Sequence, residues 1–199
     1  MLTEIIFDIE TQKLFENIDS SDPADLGVSI VCLYKRQIDQ DQNEISGQMY
    51  SFWPDDFDSM WPLFTNVDRI IGFNSKKFDA PALAPLSPFD FLSLNHFDLM
   101  DHVKQALGFR LSLNALARQC LNQSKTDVST NAVIYWRQHT KKSLQKLKTY
   151  CQQDVYVTRD IYDYGLKNKQ LKFKDKWNTI RSFPIDFSYP APSPQTSLF

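Results

Sequence analysis

An apolar run interrupted at alternate positions by acids constrains this chain more than any other feature. Residues 5–11 read Ile5-Ile6-Phe7-Asp8-Ile9-Glu10-Thr11. The run predicts a buried strand, in which Asp8 and Glu10 project from one face while Ile9 turns into the packing. Charges in such surroundings are costly unless they are paired or coordinate a metal. A sheet built on this strand therefore has to bring something that neutralises two carboxylates to one end of it.

Two later segments supply matching groups. Asp79 follows an apolar, strand-like run, Arg69-Ile70-Ile71-Gly72-Phe73, and the polar stretch Asn74-Ser75-Lys76-Lys77-Phe78, as at a strand-to-helix junction. Tyr150 and Asp154, in Tyr150-Cys151-Gln152-Gln153-Asp154, are four residues apart. On a helix that spacing sets their Cβ atoms about 5–6 Å apart on one face. Hard cations such as Mg²⁺ and Mn²⁺ prefer oxygen ligands, and Mg²⁺ keeps several waters, so a few carboxylates suffice to hold them. Two such ions roughly 3.5–4 Å apart stabilise both the attacking water and the departing oxygen of a phosphodiester. Each acid alone has an ordinary reading as a solvated surface charge. Their joint pattern points to a two-metal phosphodiesterase.

Through all three motifs the chain resembles the DEDD superfamily of 3′–5′ exonucleases, which have an RNase H-like fold. Tyr150 places it with the tyrosine-containing (DEDDy) branch, related to the proofreading domain of family B DNA polymerases. Supporting stretches are Ile71-Gly72-Phe73-Asn74, Leu111-Ser112-Leu113-Asn114-Ala115-Leu116-Ala117, Ser124-Lys125-Thr126 and the segment from Tyr150 to Val155. The likeness covers roughly residues 1–170. It implies an α/β fold with a central mixed five-stranded sheet and helices on both faces.

The resemblance also implies roles. Asp8 would bridge two divalent cations, Glu10 and Asp154 would complete the catalytic metal site, and Asp79 would serve the second metal largely through water. Tyr150 would position the attacking water, where the other branch uses a histidine five residues before its aspartate. That position is Thr149 here, and His96, His102 and His139 all lie outside the motif. A tyrosine with an ordinary pKa of about 10 is a poor base at neutral pH, so metal activation should carry more of the work. Asn74, Phe78, Lys76 and Lys77 are the candidate substrate contacts. Asn74 has an equally good reading as a turn residue, and the lysines a simpler one as helix-surface charge. The expected activity is hydrolysis at the 3′ ends of single-stranded DNA, in proofreading or repair. The alternatives are a catalytically silent adapter of the same fold that binds a replication clamp or nucleic acid, and a 3′–5′ exoribonuclease.

The element order agrees with this fold. Strands are expected at 3–9, 26–36 and 45–53, forming a meander, then at 69–73 and 95–98. Helices are expected at 57–64, 76–84, from Leu99 to Gly108, from Ser112, at 131–138 and at 143–165. Asp98 reads as the cap of the helix beginning at Leu99 rather than as a metal ligand. Leu144, Leu147, Cys151, Val155 and Ile161 form the apolar stripe of the last long helix.

At 199 residues the chain suits one domain with a sizeable core. No apolar stretch approaches the roughly 20 residues that span a bilayer. The chain opens on its first strand without a signal-peptide pattern, and Cys32, Cys120 and Cys151 lack zinc spacing. The expectation is therefore a cytoplasmic protein without a membrane span. Net charge is −2, but its distribution is uneven: residues 1–101 carry 6 Lys/Arg against 18 Asp/Glu, and residues 137–181 carry 12 against 4. That asymmetry makes the last helix and its extension the candidate surface for a polyanionic strand.

Residues 183–199 contain Pro184, Pro190, Pro192 and Pro194 and end in Gln195-Thr196-Ser197-Leu198-Phe199. The expected division is therefore a domain at 1–182 and a Pro-rich flexible tail at 183–199. The terminal pentapeptide resembles a bacterial sliding-clamp-binding motif, with Leu198 and Phe199 filling an apolar pocket and Gln195 giving a directional hydrogen bond. Deletion of residues 195–199 is expected to abolish co-elution with a bacterial sliding clamp while sparing nuclease activity; undiminished co-elution would remove the motif from consideration.

Overall fold

The computed structural model describes residues 1–123 and 130–189. Five strands, β1 (Leu2–Thr11), β2 (Val28–Ile38), β3 (Glu44–Phe52), β4 (Arg69–Gly72) and β5 (His96–Asp98), form one sheet in the order β3-β2-β1-β4-β5. β1 pairs antiparallel with β2 and β2 with β3, giving the expected meander, whereas β4 and β5 add in parallel. The acidic strand is thus central. Its period-two pattern splits the core: Ile5, Phe7 and Ile9 pack with Phe57, Trp61, Phe64 and Leu83, while Ile6 packs on the opposite side with Leu147, Cys151 and Val155. Helical segments cover both faces, as expected for this α/β architecture.

The helices are α1 (Phe57–Met60), α2 (Asp79–Leu83), α3 (Leu99–Leu107), α4 (Leu113–Cys120), α5 (Thr130–Gln138) and α6 (Lys141–Asn168). Side-chain caps set several of their starts. Asp98 accepts from Met100 N at α3, Ser112 from Ala115 N at α4, and Thr140 from Ser143 N at α6. Gly108 ends α3 in the left-handed conformation, at φ 79°. The long helix is longer at both ends than the apolar stripe indicates. Leu144 is half-buried, whereas Leu147, Cys151, Val155 and Ile161 are fully packed.

α2 begins at Asp79 rather than near residue 76. Asn74 adopts a left-handed φ of 65°, and the Asp98 carboxylate accepts hydrogen bonds from Asn74 N (2.8 Å) and Lys76 N (3.0 Å). Those captured amides hold residues 74–78 as a compact turn. Gly72 is required beneath it, because a Cβ there would lie 2.4 Å from the Ser75 side chain.

Packing continues beyond residue 182, where the tail was expected to begin. An unanticipated hairpin, β6 (Gln170–Lys174) and β7 (Ile180–Pro184), follows α6. Phe183, Ile185 and Phe187 are buried, so residues 183–189 belong to the folded body. Pro184 terminates β7, and proline at a strand end does not prevent the packing that follows. Gln195, Leu198 and Phe199, like Ser124-Lys125-Thr126, lie outside the described residues.

A buried polar cluster fastens this last segment. Glu4 accepts from Arg36 Nε, Tyr162 OH and Tyr189 OH, each at 2.8 Å. Arg69 donates to Tyr162 OH and to the carbonyls of Phe187 and Ser188, and its guanidinium lies 3.6 Å from the Tyr189 ring centroid. Burial, then Glu4, pushes both phenols well above their ordinary range, so they remain donors. Gly165 accommodates the segment too: a Cβ there would sit 2.4 Å from the Phe187 ring. Ala replacing Gly in an exposed helix stabilises by about 1 kcal/mol. Gly165→Ala is expected instead to destabilise by about 1–3 kcal/mol, the usual effect of overpacking, as read by denaturant unfolding.

Candidate active site

The C-terminal end of β1 meets the middle of α6. Cys151 Sγ donates to the Asp8 carbonyl at 3.4 Å, which pins that turn of α6 against the strand. Burial pushes the Cys151 thiol well up, so it stays a protonated donor. With the helix at this height, Asp8, Glu10 and Asp154 each offer a carboxylate oxygen, and these oxygens lie within 4.8 Å of one another. Asp8 and Glu10 are half-buried and Asp154 is buried. The convergence comes from the two-residue period of the strand, set against one residue of the helix by long-range packing.

Asp79 approaches from the other side. β4 pairs with β1 only across Glu4–Ile6, and beyond that pairing Ile9 N donates to Asp79 Oδ1 at 3.1 Å. Burial pushes the Asp79 carboxyl up to about 7, opposed by the Ile9 amide and reinforced by the negative charges of Asp98 and Asp154. Asp98 remains with the amides that it caps, so its carboxylate supports the turn before Asp79.

Asp8, Glu10, Asp79, Tyr150 and Asp154 all line one open cleft of about 320 Å³. Of the candidate substrate contacts, Asn74 and Phe78 also line it. Asn74 accepts a hydrogen bond from Arg110, and the Phe78 ring meets Phe15 edge-on at 6.1 Å. Lys76 and Lys77 are exposed and do not line this cleft; Lys76 borders a separate hollow with Ala80, Pro81 and His96. No histidine lines the acidic cleft among the described residues. His96 contacts the Phe91 carbonyl, His102 stacks on Phe97, and His139 lies beside Trp136.

Lys13, Phe15 and Val133 line the cleft as well and are not marked by any motif. Lys13 follows Glu10 closely, so its nearness was open to inspection. Val133 comes from α5, and only the tertiary fold brings it there. Leu113 sits in one of the stretches that carried the family resemblance, and it too lines the wall.

The donor set consists entirely of oxygen, which fits a hard divalent cation. Three carboxylates at this separation repel one another, and a cation among them would offset that repulsion. The raised Asp79 carboxyl gives a pH signature in the metal-free protein. Asp79 remains protonated in the fold up to about 7, whereas the unfolded chain ionises near 3.8. This contribution to stability is complete below the unfolded value and is lost as pH rises through about 7. In chelator, Asp79→Asn should flatten the decline in unfolding free energy between these limits; an unchanged slope would contradict the assignment.

No curated protein sequence matches the chain. Among solved structures it is similar to the family B DNA polymerase of the hyperthermophilic archaeon Pyrobaculum calidifontis, with a TM-score of 0.61 and 17% identity over 83% of this chain and 25% of the polymerase. It is also similar to the zinc-bound E. coli ExoI–ssDNA complex, with a TM-score of 0.49 and 16% identity over 85% of this chain and 41% of that one. The chain thus spans less than half of either protein. No helix among the described residues is long and apolar enough to cross a membrane. The RNase H superfamily model matches residues 5–165, a span that carries most of β1, all of β2 to β5 and all the acids of the cleft. The chain belongs to the RNase H superfamily.

Proposed function

We propose that the protein is a metal-dependent 3′–5′ exonuclease of the DEDDy type that hydrolyses single-stranded DNA from its 3′ end. The observation that carries this reading is the meeting of the Asp8, Glu10 and Asp154 carboxylates within 4.8 Å on the wall of an open cleft. Asp8, Glu10 and Asp154 would hold one divalent cation, and Asp8 with Asp79 would face a second. Mg²⁺ or Mn²⁺ there would lower the pKa of water and neutralise charge developing on the phosphate. Asp79, with one oxygen engaged by Ile9 N, suits a contact made through water.

The remaining work belongs to the chain itself. Tyr150 lines the cleft beside the acids, where its hydroxyl would orient the attacking water. Phe15, Phe73 and Phe78 give the cleft an aromatic side on which unpaired bases can stack without regard to sequence. Lys13 would meet a phosphate. Family resemblance supports 3′–5′ polarity and DNA as the substrate. Proofreading or repair is the corresponding physiological setting.

A strand labelled at its 3′ or 5′ end, incubated with Mg²⁺ or Mn²⁺, tests activity and polarity together. The 3′ label should be released first as mononucleotide. Asp8→Asn and Asp154→Asn are expected to lower turnover by about 100-fold or more, the range for removing preorganised electrostatic stabilisation. Tyr150→Phe should lose roughly 10-fold, as for one orienting hydrogen bond. A folded wild-type protein inactive on DNA and RNA with both metals would refute the enzymatic reading and favour a silent adapter. Equal losses for all three variants would refute only the division of labour.

A further inference from the structure

The β6–β7 hairpin presents two of the most exposed large apolar side chains among the described residues. Trp177, at the turn, is 71% exposed, and Ile180, paired with Lys174 at the start of β7, is 62% exposed. Indole at such exposure is unusual for a surface with no task, because burying an aromatic side chain is a large favourable term. The turn is held firmly. The Asp175 carboxylate accepts hydrogen bonds from Trp177 N, Thr179 N and Arg181 Nε, each at 2.9 Å. Asp175 N also donates to the Thr179 carbonyl, and Asn178 takes a left-handed φ of 65°. A constrained turn presents Trp177 with little backbone freedom left to lose on binding.

Charge identifies the partner. Residues 167–181 carry Lys167, Lys169, Lys172, Lys174, Lys176 and Arg181 against Asp175 alone, and Asp175 is occupied inside the turn. Alternation along β6 turns Leu171 into the core and leaves Lys172 and Lys174 on the outward face. Lys176 Nζ stands 4.5 Å from the centroid of the Trp177 ring. Lysine is depleted at protein–protein interfaces. Lysines interleaved with an exposed aromatic ring are what a single-stranded nucleic acid requires, phosphate neutralisation combined with sequence-tolerant stacking.

The hairpin is joined to the cleft by a short series of contacts. Lys172 N donates to Cys120 Sγ on α4 at 3.2 Å, and the Phe173 and Phe109 rings meet at 5.8 Å. Phe109, itself 47% exposed, precedes Arg110, which donates to Asn74 on the cleft wall. Exposed aromatic and basic groups therefore lead from the acidic site to the hairpin tip.

We propose that the β6–β7 hairpin is a second contact for the substrate strand: Trp177 stacks on an unpaired base upstream of the 3′ terminus, and Lys174 and Lys176 meet the neighbouring phosphates. This inference rests on the exonuclease reading for the identity of the strand. The hairpin then gives the enzyme a preference for longer single strands, because a short strand fills the cleft without reaching the tip.

Fluorescence anisotropy of the full chain, in chelator, with 5′-labelled oligothymidylates of about 4 and about 20 nucleotides tests the idea without any chemistry. Wild-type protein should bind the longer strand more tightly. Trp177→Ala should reduce the ratio of long-strand to short-strand affinity by roughly 5- to 100-fold, the range for losing one stacked base. Lys174→Glu with Lys176→Glu should lower the salt dependence of long-strand binding by at least about 1.4 in log–log slope, at about 0.7 per phosphate contact. Thermal unfolding of each variant verifies that the fold is intact; these side chains are exposed, and the core does not include them. A ratio and salt slope unchanged in both variants would overturn the proposal. So would a wild-type protein that binds no 20-mer, which would leave the hairpin to a protein partner. Failure of the exonuclease reading is seen separately, as absence of cleavage of either strand once Mg²⁺ or Mn²⁺ is supplied.

Discussion

One face of the central strand carries three carboxylates, Glu4, Asp8 and Glu10, and the molecule is organised around what each of them meets. Glu4 is buried among Arg36, Tyr162 and Tyr189, so its charge is matched by the protein's own cation and phenols. Asp8 and Glu10, further along the strand, converge on Asp154. Removing one partner of a buried ion pair is strongly destabilising, and this explains why both arginines and the last described residues are committed to the Glu4 end. A strand with a neutralised beginning and an acidic end is rigid where it must be and receptive where the cleft opens. The two ends are separated by Ile5, Ile6 and Phe7, which are almost completely excluded from solvent.

Asp98 provides a second lesson about carboxylates. It accepts hydrogen bonds from Asn74 N, Lys76 N and Met100 N, so one side chain closes the turn after β4 and opens α3. Asp79 depends on that turn for its approach to Ile9 N. An acid outside the Asp8, Glu10 and Asp154 group thereby fixes the geometry of Asp79, which lines the same cleft as that group. Both are buried, and burial alone does not separate them. Their hydrogen bonds do: Asp98 is spread over three backbone amides, whereas the proximity of Asp154 adds to the raised affinity of Asp79 for a proton.

Much of this was legible from residues alone because the informative patterns are local. Alternation in Ile5–Glu10, the four-residue interval between Tyr150 and Asp154, and the capping residues Asp98 and Ser112 each declare a face or a boundary within a few positions. The meander and the mixed five-stranded sheet follow from those elements together with the family resemblance. The hairpin was missed because Leu171 and Phe173 are set among lysines and the apolar alternation is too short to stand out. The packed segment 183–189 was obscured by its proline, and its anchors, Arg69, Glu4 and Gly165, are distant in sequence. The departure of Lys76 from the cleft was equally beyond reach, since side-chain direction at a turn depends on backbone angles that composition does not encode.

The bond from Tyr189 to Glu4 joins the two extremes of the described chain, 185 residues apart. Contacts of such separation close only after nearly everything between them has been ordered, which slows assembly. During synthesis Arg36 would emerge soon after Glu4, whereas the phenols of Tyr162 and Tyr189 that also donate to it would follow much later. A nascent fragment lacking residue 189 would then leave the Glu4 carboxylate with one donor fewer. Closure of the buried cluster around Glu4 would thus be timed by translation itself.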